Sequence, residues 1–368
     1  MSNKKKYDIA AYIWPSCHYE PRVEKFWPEK DGEWYTVRRA TPRFEGHEMP
    51  KIPLLGYQDD ANPDVMRDQV ALGAKYGVNT FIMDWYWYDE KPCFERQLNE
   101  GLIPALEGSD SKFYLMWANH HATTGWNMHT DVDEMLWSGK VTRDVFESMM
   151  DRVIDKYFKL DSYYRIDGKP VFNIYYAAGF VAGLGSVEEA VSALDWLQSR
   201  AKEKGLPGIH LQLTVRRGNA GTYEDKTSNL GDYSNEALVS ILGAESGTSY
   251  QFVADAGYDE GDYVPWANAA MAKWEEDEKV YPMFFPHVTI GWDNTQRMPS
   301  EKKAIINSTP FAFEACLHKA KMHIDNHPDR PPLITINSWN EWTEGSYLLP
   351  DMRWGYAYLE AVKKVFGR

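Results

Sequence analysis

Glu341 and Glu344 stand three residues apart in the stretch ITINSWNEWTEGSYLLPD, residues 334–351. Carboxyls at that spacing share a turn and feel each other's charge. If their surroundings also hold their pKa values apart, one can act as acid and the other as base. An apolar run precedes the pair, and Trp339, Asn340, Trp342 and Tyr347 surround it. A backbone cap beside a solvated carboxylate is the plain alternative, but surface turns seldom carry so many aromatic rings. Indole faces suit the C–H faces of a sugar ring, while polar neighbours take its hydroxyls.

The same mixture of aromatic and polar residues recurs where other apolar runs end. Tyr12 and Trp14 close one run, Asp84, Trp85 and Trp87 a second, and Trp117, Asn119 and His120 a third. Tyr175, His287, Trp292 and Asn294 close three more. With the four neighbours of the glutamates, these are the candidate substrate-binding residues. Some have equally good structural readings: Asp84 as a helix or loop cap, His287 as a satisfied core imidazole. His120 and His121 are adjacent, so their side chains diverge, and no Cys or His spacing fits a metal. No metal or other cofactor is therefore expected. A serine triad lacks its elbow, since no G-x-S-x-G occurs.

The elements that must position these residues alternate. Strand-like runs are predicted over 8–14, 79–85, 112–119, 170–176, 209–215, 247–252 (a weak one), 283–292 and 333–342. Amphipathic stretches over 62–76, 187–204, 264–279 and 310–326 predict helices between them. Eight such units predict a (β/α)8 TIM barrel whose long βα loops cover its C-terminal face. A doubly wound sheet would carry a Gly-rich phosphate turn after its first strand, and none is present. The insert 16–57 follows the first strand and is expected over the mouth of the barrel. Nothing divides the chain, so residues 1–368 are expected to form a single catalytic domain.

Composition narrows the partners. The chain has 368 residues, a formal charge of -14, 15 Trp and 23 Tyr. Such an acidic chain does not suit nucleic acid. No run is long enough to span a membrane, and three cysteines make no disulfide framework. The N-terminal run is short and broken by Asp8 and Pro15, unlike a secretory signal. A cytoplasmic location is the expectation, or a periplasmic one for a sequence that has lost its leader. The expected partner is an oligosaccharide or glycoside substrate; the pattern specifies no oligomeric state.

Three motifs carry a resemblance: WANHH after a strand-like run, GWDNTQR at 291–297, and NSWNEWTEGSYLLPD. Together they resemble the WbsX-like proteins, a group related to glycoside hydrolase family 99. The similarity runs from YIWP near residue 12 to GYAYLEAV near residue 360. It implies a barrel acting on glycosides at its C-terminal face. Family 99 enzymes are endo-acting α-mannosidases with two glutamates in an NEW–EG motif. By that resemblance Glu341 is the base that deprotonates the substrate's 2-hydroxyl, and Glu344 the acid that protonates the leaving oxygen. The implied activity is retaining hydrolysis of 1,2-trans glycosides of manno configuration, such as mannose or L-rhamnose, through a 1,2-anhydro sugar. A glycosyltransferase of polysaccharide biosynthesis is one alternative and would need a nucleotide-sugar site. A carbohydrate-binding barrel without catalysis is the other and would not need both glutamates.

Overall fold

The computed structural model describes residues 6–127, 134–222, 230–298 and 300–367. Its centre is a ring of parallel strands: β1 (Asp8–Ile13), β2 (Thr80–Tyr88), β3 (Lys112–Trp117), β4 (Lys169–Ile174), β5 (His210–Thr214) and β6 (Ser246–Thr248). The seventh strand, β7, comes in two pieces, Phe284–Phe285 and His287–Thr289, and β8 is Leu333–Asn337. Proline has no N–H to donate, so Pro286 interrupts the ladder between the pieces. The first piece pairs with β6 and the second with β8. Because β8 in turn pairs with β1, the ring closes. The TIM barrel expected from the alternation is the fold observed.

Strand residues alternate between the barrel interior and the helix layer. Much of the interior is polar and internally satisfied. The Asn173 amide donates to Gln212 Oε1 (2.9 Å), Thr214 Oγ1 donates to Asn173 Oδ1 (3.0 Å), and Tyr114 Oη donates to the same Gln212 oxygen (3.2 Å). His287 lies 2.8 Å from Thr335 Oγ1 and 3.0 Å from Thr289 Oγ1, and burial pushes its imidazole down to about 3. It is a neutral member of the core network.

The outer helices begin and end where local chemistry dictates. Asn62 caps Pro63–Tyr76 by accepting from Asp64 N, and Gly77 ends that helix at φ 100°. Ser186 and Thr309 cap Val187–Glu203 and Pro310–Asp325 in the same way. Two expectations change. The stretch 264–279 splits into Tyr263–Met271 and Trp274–Asp277. The weak strand read over 247–252 ends at Thr248, and Gln251 then caps a short helix, Phe252–Ala256. The intervening turn carries Tyr250 to the mouth of the barrel. Among the described residues no single helix is long and apolar enough to cross a membrane.

Gly247, in the short strand β6, lies against the ring of Tyr281, and a Cβ there would run into ring carbons. Gly247→Ala should therefore cost about 1–3 kcal/mol by overpacking. Urea unfolding should show a lower midpoint at unchanged m-value. A midpoint equal to that of the unsubstituted protein would show that the ring yields freely.

Candidate active site

Both glutamates sit in a compact hairpin beyond β8. Asn340–Glu341 pairs antiparallel with Ser346–Tyr347, and Trp342–Glu344 forms a single 3-10 turn between them. Gly345 closes the turn at φ 65°, and a Cβ there would lie 2.9 Å from Asp293 Cβ. The Asp293 amide donates to Glu344 O at 2.7 Å. Glycine at 345 lets the loop after β7 press against the hairpin and so fixes where Glu344 points.

One guanidinium organises the charges. Arg297, from the loop after β7, donates through Nη2 to Glu341 Oε1 (2.6 Å) and through Nη1 to Glu344 Oε1 (2.8 Å). Its Nη2 also reaches Glu33 Oε1 at 3.2 Å. Glu33 comes from the long insert after β1 and is buried. It also accepts from Thr343 Oγ1 (2.7 Å), Ser16 Oγ (2.8 Å) and Trp14 Nε1 (2.5 Å). The loops after β1, β7 and β8 thus meet at one cation.

Tyr250 adds a second connection. Its hydroxyl lies 2.8 Å from Asp84 Oδ2 and 3.0 Å from Glu341 Oε2. A hydroxyl has one proton, so it donates to one carboxyl and must accept from the other. Burial pushes Asp84 well above the ordinary carboxylate range, against the opposing hydrogen bond from Tyr250. Arg297 bonds Glu341 and not Asp84, so a proton on Asp84 with Tyr250 donating to Glu341 is the arrangement that keeps the anion beside the cation. In that arrangement Glu341 accepts from both Tyr250 and Arg297.

Burial raises Glu341 well above its ordinary value, and the neighbouring Glu344 raises it further, against the pull of Arg297. Burial raises Glu344 too, with Arg297 opposing. Two such carboxyls titrate as a pair. Burial raises Glu341 more than Glu344, but hydrogen bonding favours charge on Glu341, which has a partner on each oxygen, whereas Glu344 Oε2 is buried with no hydrogen bond. The Gln251 amide donates to Gly291 O and Asn337 Oδ1 and is close enough to Glu344 to oppose the rise.

The carboxyls open onto a cavity of about 390 Å³. Trp14, Tyr86, Trp126 and Trp292 give it apolar walls, and Arg216 lies over the Tyr175 ring at 4.5 Å. His120 also borders it; burial pushes this imidazole down to about 4, so it is neutral near pH 7. Such a bowl, apolar with a few convergent polar groups, suits a sugar ring.

A sequence profile described as glycosyltransferase WbsX matches residues 9–362. The chain belongs to that family. A protein described as uncharacterized WxcX, from Xanthomonas campestris pv. campestris, is 26% identical over 373 residues. The match takes in 98% of this chain and 50% of WxcX, so the chain spans about half the length of the curated relatives it matches. Among solved structures, the GH99 endo-alpha-mannosidase from Bacteroides thetaiotaomicron in complex with bis-tris propane superposes with a TM-score of 0.64 at 12% identity, covering 98% of this chain and 96% of that one. A glycoside hydrolase-like protein gives a TM-score of 0.65 at 12% identity, with 100% and 96% covered. At such identities the likeness is one of fold.

In this WbsX-family chain the candidate residues separate by the pleat of their strands. Glu341, Glu344, Trp14, Asp84, His120, Tyr175 and Trp292 border the cavity. Trp85 and Trp87 alternate with Asp84 and Tyr86 and turn away. Trp85 Nε1 donates to Glu95 Oε1 at 2.9 Å, and Arg152 lies 5.9 Å from the Trp87 ring. Trp117 faces Phe146 and Phe180 of the helix layer. Asn119 and Asn340 instead tie strands together. Asn119 bonds the backbone N and O of Tyr176, and Asn340 bonds those of Trp14. Tyr12 donates to Ser249 O below the cavity floor, and Trp339 Nε1 donates to Gln69 Oε1 behind it. Trp342 and Tyr347 stack on each other at 3.9 Å, and Tyr347 Oη donates to Asp351 Oδ2. Asn294 opens the short turn Asn294–Gln296 and does not border the cavity.

Sequence reasoning missed Glu33, Arg297, Tyr250 and Arg216. Arg297 lies inside the GWDNTQR motif, which was a usable signal. As for metals, Glu278, His323 and His327 bring ligand atoms within 4.8 Å of one another. Arg330 already holds both oxygens of Glu278 at 2.8 Å, so a guanidinium fills the place of a cation there. The arginine also bonds Phe284 O at the start of β7, at the end of the barrel opposite the mouth.

Removing Arg297 strips the cation from buried carboxylates. Arg297→Met should destabilise the fold by about 3–5 kcal/mol near neutral pH. The deficit should depend on pH in a definite sense. A carboxyl whose folded pKa is raised costs stability that grows as pH climbs above its unfolded value, here about 4.5, and vanishes below it. Without Arg297 both glutamates rise further, so the deficit should widen from pH 4 to pH 7. Denaturant unfolding across that range checks it; a deficit independent of pH would mean that Arg297 stabilises by packing.

Proposed function

We propose that this barrel is a retaining glycoside hydrolase for 1,2-trans glycosides of manno configuration, with oligosaccharides as its substrates. The observation that carries the reading is the pair Glu341 and Glu344. It is raised by burial, bridged by Arg297 and set in an aromatic cavity at the mouth of a TIM barrel. The α-mannosidase named among the fold relatives supports the choice of sugar.

In the proposed reaction Glu341 takes the proton from the substrate's O2. O2 attacks C1, the bond from C1 to the leaving oxygen breaks, and Glu344 protonates that oxygen. The product of this step is a 1,2-anhydro sugar. Glu344, now a carboxylate, takes a proton from water as the water oxygen bonds to C1. The C1–O2 bond opens and O2 recovers its proton from Glu341. Two inversions at C1 give net retention. The donors from Tyr250 and Arg297 suit Glu341 to act as base, and the unbonded Oε2 suits Glu344 to carry the transferable proton.

The family description favours a second reading, glycosyl transfer. A transferase would use a sugar hydroxyl where the hydrolase uses water, and it would draw on an activated donor. Binding of a nucleotide sugar without hydrolysis of any aryl glycoside would support that reading.

Glu344→Gln should lower kcat by roughly 10²–10⁴, the usual contribution of a general acid. The loss should shrink for dinitrophenyl glycosides, whose leaving group needs little protonation. Kinetics on paired aryl α-mannosides and α-L-rhamnosides check this. Equal losses for good and poor leaving groups would count against Glu344 as the acid.

A further inference from the structure

A second cavity, of about 360 Å³, adjoins the first on the same face of the barrel. Trp292 borders both. Its far wall comes from the insert after β1, including His47 and Lys51, and its floor from Gly291 and Gly345. An oligosaccharide with one ring over Glu341 and Glu344 would find the face of Trp292 between that ring and the next.

The charges in this second cavity are mostly spoken for. His47 Nε2 lies 2.8 Å from Asp293 Oδ2, and Asp293 is held below its ordinary value by His47 and Thr295 despite its burial. Arg353 pairs with Glu48 at 2.7 Å. Lys51 differs. It is half-buried, borders the cavity, and has no ion pair among the described residues. Burial pulls its ammonium below the ordinary value and Arg353 adds to this, while the carboxylates of Asp293, Glu48 and Asp351 act in the opposite direction. A partly desolvated ammonium with no carboxylate in ion-pair contact is unfavourable, and an anion brought by a ligand would relieve it.

We propose that the second cavity is a subsite for an acidic sugar residue, with Lys51 pairing the carboxylate of a uronic acid. The inference rests on the glycosidase reading for its orientation, since the neighbouring ring would occupy the catalytic cavity. One ammonium matches the single charge of a carboxylate, whereas phosphate recognition gathers several donors or a guanidinium fork. Trp292 supplies the ring face, and the bonded His47–Asp293 pair fixes the wall opposite.

Direct binding tests this without turnover, so its outcome is separate from that of the hydrolase assignment. Methyl α-D-glucuronoside, methyl α-D-glucoside and glucose 6-phosphate would each be titrated into the full chain by calorimetry or ligand-observed NMR. The glucuronoside should bind more tightly than the neutral glucoside, and its binding should weaken with added salt. Lys51→Met should weaken the glucuronoside by roughly tenfold or more, about 1.4 kcal/mol, with little effect on the glucoside, and Lys51→Arg should restore most of the loss. Equal affinity for charged and neutral sugars in the unsubstituted protein would overturn the proposal, whatever the variants do. So would unchanged glucuronoside binding in a folded Lys51→Met protein. Tighter binding of glucose 6-phosphate than of the glucuronoside would overturn the carboxylate assignment.

Discussion

Three carboxyls buried side by side repel one another and lose their hydration, and here a single guanidinium offsets both effects. Glu33, Glu341 and Glu344 all bond to Arg297. Glu33 comes from the insert after β1, Glu341 and Glu344 from one hairpin and the arginine from a third loop, so the electrostatic requirement is also a mechanical one. The insert after β1, the loop after β7 and the hairpin after β8 cannot separate without leaving a charge unpaired in a low-dielectric setting. The barrel supplies a rigid rim, and the arginine draws the loops over it.

That arrangement also divides the two glutamates. Arg297 contacts both, yet the Tyr250 hydroxyl bridges Glu341 and Asp84 without bonding Glu344. The result is one carboxyl with a hydrogen-bond partner on each oxygen and another with one buried oxygen unbonded. The low-dielectric setting strengthens every one of these interactions.

The barrel was legible because its strands are apolar runs of the right length, separated by capped amphipathic helices. The glutamates were legible because aromatic residues crowd them in sequence. The pleat was harder to read. In a strand buried on both faces, Asp84 and Trp85 look alike in pattern, and only the register decides that Asp84 and Tyr86 face the cavity while Trp85 and Trp87 face helices. His287 fell inside the barrel for the same reason. Glu33 had no local signal at all, because its partners Arg297 and Thr343 lie more than 250 positions away in sequence. Tyr250 was obscured by a strand that stops at Thr248, three residues before a glutamine cap. Long-range ion pairs and early strand ends leave little trace in local composition.

The central claim is that Glu341 acts on the substrate's own 2-hydroxyl while Glu344 protonates the leaving group. The most direct measurement follows hydrolysis of an activated aryl α-mannoside or α-L-rhamnoside beside its 2-O-methyl counterpart, with the first-formed anomer read by NMR. The expected result is a product of retained configuration from the free glycoside and no turnover of the 2-O-methyl compound, which has no O2 proton to give. Turnover of the 2-O-methyl glycoside, or a glycosyl ester trapped on Glu341, would contradict the account.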